Sequence, residues 1–226
     1  MRLAIITDIH EDIINLQRAL EKIRRLKCDE IICLGDISGF SVPHYEYFES
    51  RNASACLTLV RGNCTIIIAG NHDLHAAKRT PEISSFDYPA NWYDLDFQQR
   101  FSYSKGEVWL YEDEELNALY THEQVKFVSE LPEYKVQAYK GKPFLLAHYI
   151  FPNRTGSGQH FYAEAKEYQK HKHFMAEKGA VYSFSGHRHF PGLIAVSGPK
   201  MITKNFGRKY KRSEERRVGK ECTLRC

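Results

Sequence analysis

The sequence predicts an α/β protein of one domain, and two observations support that fold class. Short apolar runs of strand length alternate along the chain with segments whose apolar residues recur at helical spacing. The chain has 226 residues, of which 42% are hydrophobic and 27% are charged, as is typical of a globular domain. This length suits one domain, at most with an added lobe, and is enough to bury a sizeable core.

The individual elements follow from these two patterns. Strands are predicted at the short apolar runs 3–6, 30–34, 65–69, 135–139, 143–147, 180–184, 192–196 and 199–203. Helices are predicted over 12–26, 43–52 and 161–178, the last of them closed by Gly179. Residues 153–158 are rich in Gly, Ser, Thr and Asn, which predicts a flexible loop.

Residues 80–131 differ from the rest of the chain because they contain both tryptophans and many Tyr and Phe residues. Helical patterns occur near 91–103 and 107–118, and Thr121 with Gln124 forms a capping box for a helix reaching Leu131. We interpret this region as a helical insertion over one end of the sheet. Its aromatic residues are not interleaved with basic ones, which favours core and lid packing over a base-stacking platform.

The last fifteen residues, 212–226, form a charged tail without an apolar face. They resemble the in-frame translation of a sequencing-library adapter, and a genuine charged helix is the alternative. We therefore place the domain at 1–211 and expect the natural protein to continue past Lys211 with other residues. The tail holds five Lys/Arg and three Asp/Glu, so without it the formal net charge falls from +4 to +2.

Charge and cysteine usage narrow the function classes. A mildly basic chain suits a phosphate-bearing substrate and offers little electrostatic attraction for nucleic acid. The six cysteines include no CxxC pair, and we interpret the first four as small core residues in a reducing, cytoplasmic setting. The chain enters its first strand at once and has no apolar run of membrane-spanning length, so we expect neither a signal peptide nor a membrane partner.

Polar clusters rich in Asp, Asn and His follow four of the predicted strands, and a lone histidine follows a fifth. In chain order they are Asp8-Ile9-His10, Gly35-Asp36, Gly70-Asn71-His72-Asp73, His148 and Gly186-His187-Arg188-His189. Functional side chains in α/β proteins gather on the loops that follow strands. We therefore expect these five clusters to meet at one edge of the fold.

The order DxH, GD, GNH[D/E], H and GHxH resembles the motif pattern of the calcineurin-like metallophosphoesterase superfamily. Each motif alone is weak, but all five occur in order within residues 8–189. The resemblance implies a two-sheet αββα sandwich with metal ions at the edge where the strand ends meet. In its compact size the chain resembles the small phosphodiesterase-like branch.

The resemblance also implies two divalent cations bridged by Asp36. The remaining ligands would be Asp8, His10 and His189 for the first cation, and Asn71, His148 and His187 for the second. Carboxylate oxygens with imidazoles suit Mn, Fe, Zn or Co better than Ca. Two such cations about 3.5–4 Å apart can hold both oxygens of a displacement at phosphorus, with a bridging hydroxide as the nucleophile.

Two catalytic residues and three substrate contacts complete the predicted site. By resemblance His72 holds a phosphate oxygen and protonates the leaving group, while Asp73 orients its imidazole. Arg188 either contacts the substrate phosphate or points to solvent, and Arg154 and His160 are candidates to face the substrate. The other histidines match no motif and are expected at the surface: His44, His75, His122, His171 and His173.

Structural alternatives exist for several motif residues. Asp8 could cap a helix, Asp36 could occupy a turn, and a lone His148 could be structural. Asn63 competes with Asn71 because Arg61-Gly62-Asn63 resembles the start of the third motif. Cys64 stands where that motif needs a histidine, which favours Asn71.

The expected activity is hydrolysis of a phosphomonoester or phosphodiester, with a small phosphorylated substrate as the partner. A serine/threonine protein phosphatase of the same superfamily would need an open groove rather than a covered pocket. A nuclease would carry additional DNA-binding regions. A non-catalytic scaffold on this fold should have lost ligands, whereas every expected ligand is present.

Overall fold

The computed structural model describes residues 1–190 and 192–205, so the tail at 212–226 lies outside the described residues. The strands are Leu3–Ile6 (β1), Glu30–Cys33 (β2), Phe40–Ser41 (β3), Ile66–Ile67 (β4), Glu115–Leu116 (β5), Tyr134–Tyr139 (β6), Lys142–Ala147 (β7), Tyr182–Phe184 (β8), Gly192–Ser197 (β9) and Lys200–Asn205 (β10). The helices are Ile13–Arg25 (α1), Ala53–Asn63 (α2), Asn71–Ala76 (α3), Phe97–Ser104 (α4), His122–Ser129 (α5) and Gln169–Glu177 (α6). No helix in this part of the chain is long and apolar enough to cross a membrane.

The first sheet is parallel, with the strand order β1-β2-β4. Successive side chains of its strands point alternately into two apolar clusters. Ala4 and Ile6 of β1 face the helices α1 and α2, whereas Leu3 and Ile5 face the second sheet. Successive side chains of a strand point to opposite faces, so a strand that is apolar throughout must be covered on both sides.

The second sheet has the order β6-β7-β8, with β7 antiparallel to β6 and parallel to β8. Tyr139 and Leu146 of this sheet pack against Ile32 of β2 and against Ile68, which directly follows β4. On the outer face, Leu145 packs with Phe174 of α6. The layers are therefore helix, sheet, sheet and helix, which confirms the predicted αββα sandwich.

The helices that cover the first sheet begin at capped ends. Asp12 accepts a hydrogen bond from Asn15 N at 2.9 Å at the start of α1, and Asn52 accepts one from Ala55 N at 2.9 Å at the start of α2. The first four cysteines form no disulfide, and they pack in or against the same core cluster, as the sequence predicted.

Three predicted helices differ in the structure. The prediction of a helix over 43–52 is wrong. Only residues 48–50 form a short 3₁₀ turn, because Asn52 caps α2, which starts at Ala53. The helix over 107–118 is wrong because this backbone bonds to other segments, as in Trp109 N to Ser157 O at 2.9 Å. The helix over 161–178 begins only at Gln169, after a 3₁₀ turn at Ala165–Tyr168.

The region 80–131 holds α4, α5 and a small aromatic cluster around Phe86, Trp92 and Val108. The capping box of Thr121 and Gln124 is present at the start of α5, as predicted. The region rejoins the core through a two-residue ladder between β5 and β3. It therefore contributes a strand as well as helices to the surroundings of the motifs.

His171 of α6 is buried, although it was predicted to lie at the surface. Its Nδ1 accepts a hydrogen bond from Phe151 N at 3.0 Å, and its Nε2 lies 3.0 Å from Ser183 Oγ. Burial lowers the pKa of His171 to about 4. The folded protein therefore keeps this ring neutral at pH values where the unfolded chain would protonate it.

His171→Asn should reduce the pH dependence of stability below neutrality. Between pH 6.5 and about 4 the unfolded chain binds a proton at His171 that the folded protein excludes. The free energy of unfolding should therefore decrease as the pH falls through this window, by up to roughly 3 kcal/mol from this group. Asparagine retains an acceptor for Phe151 N but does not titrate, so urea unfolding at several pH values should show a smaller fall in the variant.

The matched control is His173→Asn, which removes an exposed histidine from the same helix. It should leave the pH dependence as in the wild type. Equal slopes for wild type and His171→Asn between pH 6.5 and 4 would contradict the prediction.

Candidate metal centre

Six of the seven predicted metal ligands meet in two clusters, at the edge where β1, β2, β7 and β8 end. Asp8, His10 and His189 form one cluster, and Asp36, His148 and His187 form the other, each with ligand atoms within 4.8 Å of one another. The seventh, Asn71, lies beside the second cluster. The structure thus brings together residues that are as much as 181 positions apart in the sequence, from Asp8 to His189.

In the first cluster the donor atoms face one another across short distances. His10 Nε2 lies 3.0 Å from His189 Nε2, and His189 Nε2 lies 3.4 Å from Asp8 Oδ1. Asp36 Oδ2 lies 4.0 Å from His10 Nε2, so the same carboxylate reaches both clusters. Its position between them suits the bridging role that the motif pattern implies.

In the second cluster, oxygen and nitrogen atoms of several side chains converge. One end of the Asn71 amide lies 3.3 Å from Asp36 Oδ2, 3.1 Å from His187 Nδ1 and 3.1 Å from the carbonyl oxygen of Thr155. His148 Nε2 lies 3.0 Å from Asp36 Oδ2. Nδ2 at that end of the amide donates to its three neighbours, whereas Oδ1 at that end requires a positive group between them. The carboxylate, the imidazoles and the amide oxygen together fit a divalent cation.

Two of the imidazoles are held with Nε2 directed at the centre. His10 Nδ1 lies 2.7 Å from Gly39 O, and His148 Nδ1 lies 2.7 Å from Leu34 O. A carbonyl oxygen accepts only, so Nδ1 carries the hydrogen in both rings. The Nε2 lone pair is then available to a metal, as in most histidine ligands.

The pKa values reflect how densely charged and buried these groups are. Burial acts to raise the pKa of Asp36, but His148 and His72 lower it below its usual range. Burial acts to lower the pKa of His148, but Asp36 raises it to about 9. Burial, with the neighbouring His72, lowers the pKa of His10 to about 3. A cation at this centre competes with the proton that His148 and Asp36 share.

Five of the predicted ligands adopt a left-handed backbone conformation that residues other than glycine rarely take. They are Asp8 (φ 56°), His10 (φ 48°), Asp36 (φ 53°), His187 (φ 71°) and His189 (φ 47°). Such strain persists only where surrounding contacts fix the chain. Main-chain hydrogen bonds from Asp8 N to Gly35 O and from His10 N to Asp36 O provide that fixation.

The loop at 153–158 covers the second cluster, and only glycine fits at one of its positions. Gly156 has φ +82°, and a Cβ there would lie 2.4 Å from His187 Nδ1. Thr155 and Ser157 are buried, and Asn153 closes the loop by two hydrogen bonds of 2.9 Å to the backbone of Gly158. The loop predicted as flexible is thus packed into the site.

Arg154 does not face the substrate side, so that prediction is wrong. Its guanidinium is 1% exposed and lies 2.7 Å from Glu133 Oε2 and 4.8 Å from the centre of the Tyr134 ring. Glu133 also binds Arg79 at 3.0 Å. An arginine needs partners for its charge when buried, and here the core supplies them.

Arg188 and His160 lie outside the ligand clusters. Arg188 Nη1 donates to Tyr162 O at 2.8 Å, and Arg188 lines a cleft of about 400 Å³ that is also lined by Asp8 and His189. His160 is exposed and lies 3.0 Å from Glu167 Oε1. Asn63, the rival of Asn71, is exposed at the end of α2 and bonds Leu59 O. The structure therefore places Asn71 at the centre and Asn63 away from it.

The role predicted for Asp73 as the partner of His72 is wrong. Both oxygens of this buried carboxylate accept hydrogen bonds from elsewhere, including Asp36 N at 2.8 Å and Ile37 N at 3.0 Å. The His72 ring contacts Glu115 instead, with 2.5 Å between Nδ1 and Oε2. Burial acts to lower the pKa of His72, and Glu115 and Asp36 raise it to about 9.

Tyr111 and Glu115 are site residues that the sequence did not indicate. Asn71 Nδ2 donates to Tyr111 Oη at 2.9 Å, and Tyr111 also lies against the His72 ring, with 4.9 Å between ring centres. Neither residue lies in a motif or follows one of the apolar strands. The pairing of β5 with β3, together with backbone hydrogen bonds between residues 107–109 and 157–159, brings this segment to the site.

Known proteins resemble this chain in sequence and in fold. Residues 1–191 match the calcineurin-like phosphoesterase family. The uncharacterized protein MJ0912 of Methanocaldococcus jannaschii is 24% identical over 161 residues, which are 67% of this chain and 54% of that protein. This chain therefore spans about half the length of that curated relative.

Two solved structures share the fold at low identity. A metallophosphoesterase from Sphaerobacter thermophilus has a TM-score of 0.54 and 19% identity, over 90% of this chain and 74% of its own. Hypothetical protein PH1004 from Pyrococcus horikoshii OT3 has a TM-score of 0.53 and 17% identity, over 89% of this chain and 75% of its own. Since the family match includes all five motifs and the strands that carry them, the chain belongs to the calcineurin-like phosphoesterase family.

Proposed function

We propose that the protein hydrolyses a small phosphomonoester or phosphodiester with two divalent cations held at the candidate centre. The observation that carries this proposal is the convergence of Asp8, Asp36 and the motif histidines in clusters whose ligand atoms lie within 4.8 Å of one another. Manganese, iron, zinc and cobalt all suit this donor set.

One cation would be held by Asp8, His10 and His189, and the other by Asn71, His148 and His187. Asp36 would bind both cations. When bound, such cations withdraw charge from phosphoryl oxygens and lower the pKa of water to near neutrality. The residues of the chain fix where this happens, because six of the seven ligand residues are buried and backbone hydrogen bonds hold the turns that carry them.

His72 would hold a phosphoryl oxygen and donate a proton to the leaving-group oxygen. Its ring lies against His10, with 4.8 Å between ring centres, and its backbone N donates to Asp36 Oδ1 at 2.9 Å. His72 also forms a third cluster with His10 and Asp36, in which the ligand atoms lie within 4.8 Å of one another. We assign His72 to proton transfer because the motif pattern does not count it among the seven ligands. Proton transfer from a positioned side chain contributes typically 10²–10⁴-fold to such a reaction.

A small substrate is favoured over a protein substrate because the centre is covered from two sides. The loop at 153–158 packs over His187, and residues 107–117 pack over Asn71 and His72. The remaining approach borders the cleft beside Asp8, His189 and Arg188. A protein phosphatase would need an open groove at this position.

Asp36→Asn should abolish both metal binding and hydrolysis. Asp36 lies in two of the three candidate ligand clusters, and the amide lacks the charge that two cations require. The measurement is Mn²⁺ calorimetry on metal-stripped protein, followed by hydrolysis of p-nitrophenyl phosphate and bis-p-nitrophenyl phosphate. The ratio of the two rates indicates monoester or diester preference.

The control is Asp87→Asn, which makes the same chemical change at an exposed carboxylate. It should bind Mn²⁺ and turn over both esters as the wild type does. Wild-type protein that binds no Mn²⁺, or Asp36→Asn protein that retains full turnover, would overturn the proposal.

His72→Gln should slow hydrolysis most for poor leaving groups. Phenolate needs a proton as it departs, whereas p-nitrophenolate does not, so kcat for phenyl phosphate should fall roughly 10²-fold or more and kcat for p-nitrophenyl phosphate much less. Mn²⁺ affinity should change little. His122→Gln, at an exposed position, serves as the control, and equal losses on both esters would exclude the proton-donor role.

A further inference from the structure

Residues 107–117, here called the strap, cross the candidate centre, contain a turn at 112–114 and are anchored at both ends. At its start, Trp109 N donates to Ser157 O and Gln159 N donates to Glu107 O, each at 2.9 Å. At its end, Arg51 Nη2 donates to Asn117 O at 2.8 Å. Between these anchors only two strap side chains bond to motif residues among the contacts described, and they reach neighbours in sequence, Asn71 and His72.

Glu115 closes a slot that fits the His72 ring. The ring lies against Gly39, where an added Cβ would come within 2.4 Å of it, and between the rings of His10 and Tyr111. Glu115 Oε2 accepts from His72 Nδ1 at 2.5 Å, and its side chain is 6% exposed. The hydrogen bond fixes the remaining freedom of the ring, which is rotation, and assigns the hydrogen to Nδ1.

The ladder between β3 and β5 decides which strap side chain reaches His72. Ser41 pairs with Glu115 and Phe40 with Leu116, and Val42 N donates to Glu114 O at 2.7 Å. Neighbouring residues of a strand point to opposite faces, so a slip of one residue would turn Glu115 away from the site. Glu114 and Leu116 are exposed in the observed register.

Tyr111 holds the side-chain amide of Asn71 in place beside the second cluster. Tyr111 Oη lies 2.9 Å from one end of the amide, and the other end lies 3.1 Å from His187 Nδ1 and 3.3 Å from Asp36 Oδ2. When Nδ2 faces these two acceptors, the phenol hydroxyl donates to Oδ1. When Oδ1 faces a cation at the centre, the same hydroxyl accepts from Nδ2, so Tyr111 fixes the position of the amide in either orientation.

We propose that the strap supplies two positioning residues for the centre: Glu115 sets the ring of the proton donor His72, and Tyr111 sets the amide of the ligand Asn71. The effect on proton donation by His72 rests on the proposed function. The positions of the His72 ring and the Asn71 amide can be tested in the metal-free protein. Groups that orient ligands and catalytic histidines typically contribute 10–100-fold to metal affinity or activity.

Glu115→Gln tests the first half of the proposal, with Glu114→Gln as the control that removes the same charge from an exposed neighbour. In metal-free protein, the imidazole ¹⁵N resonances of His72, assigned by their loss in His72→Gln, should shift in Glu115→Gln and stay in place in Glu114→Gln. With Mn²⁺ bound, kcat for phenyl phosphate should fall roughly 10–100-fold, and kcat for p-nitrophenyl phosphate much less. Glu115→Asp, which keeps the carboxylate, should recover part of the loss.

Tyr111→Phe tests the second half, with Tyr103→Phe as the control at a half-exposed tyrosine. Calorimetry with Mn²⁺ alone should show roughly 10–100-fold weaker binding at one of the two sites in Tyr111→Phe, and wild-type binding in Tyr103→Phe. This readout does not depend on turnover of any substrate.

The outcomes separate this proposal from the proposed function. Wild-type protein that binds Mn²⁺ but hydrolyses neither ester would remove the proposed function, while the His72 resonances and the Mn²⁺ isotherms would still decide the positioning roles. Unchanged His72 resonances in Glu115→Gln, or equal losses on both esters, would overturn the role of Glu115. Unchanged Mn²⁺ affinity in Tyr111→Phe would overturn the role of Tyr111.

Discussion

Hydrogen bonds to one buried carboxylate, that of Asp73, hold together the two turns on which the centre is built. Asp73 accepts from the backbone nitrogens of Asp36, Ile37 and Ser38 after β2, and from Gly70 N after β4. Burial raises the pKa of Asp73 to about 6, with Asp36 adding to the effect. A charged acceptor shared by several backbone donors is worth more than neutral bonds in the same place. The position of Asp36 between the two ligand clusters therefore depends on a carboxylate that binds the backbone of Asp36 and belongs to neither cluster.

The backbone strain and the electrostatic repulsion in this arrangement are concentrated at the ligand residues. Five of the ligands have positive φ, and the buried carboxylates of Asp8 and Asp36 repel each other. Strain of this kind costs on the order of 1–3 kcal/mol per residue, so the rest of the fold must stabilise it. The two packed sheets and the helices on either side supply that stability away from the centre. Cation binding relieves the repulsion among the acceptors, so the fold and the proposed activity depend on the same electrostatic constraint.

The sequence predicted what is local and missed what depends on pairing at a distance. Strand ends followed by Asp8, Asp36 and Asn71 are visible as apolar runs with polar residues behind them, and the structure brings these residues together as expected. The position of Glu115 follows from a ladder of two residues between β3 and β5, which carries too little periodicity to be read from sequence. Arg154 was assigned to the substrate from its place in a polar loop, but the buried Glu133, more than twenty positions away, holds it in the core.

The division between motifs and strap has a physical consequence for how the site can vary. The ligand atoms are fixed by short turns that follow strands of the central sandwich, so a change in the strap leaves their backbone in place. The orientation of the Asn71 amide and the His72 ring depends instead on two strap side chains, which reach the site only through the β3–β5 ladder and the anchors at Ser157 and Arg51. A longer or shorter insertion would therefore alter proton delivery to the leaving group and the affinity of one metal site before it altered the identity of any ligand. Substrate preference in this chain is accordingly expected to follow the strap and its neighbouring loop more than the five motifs.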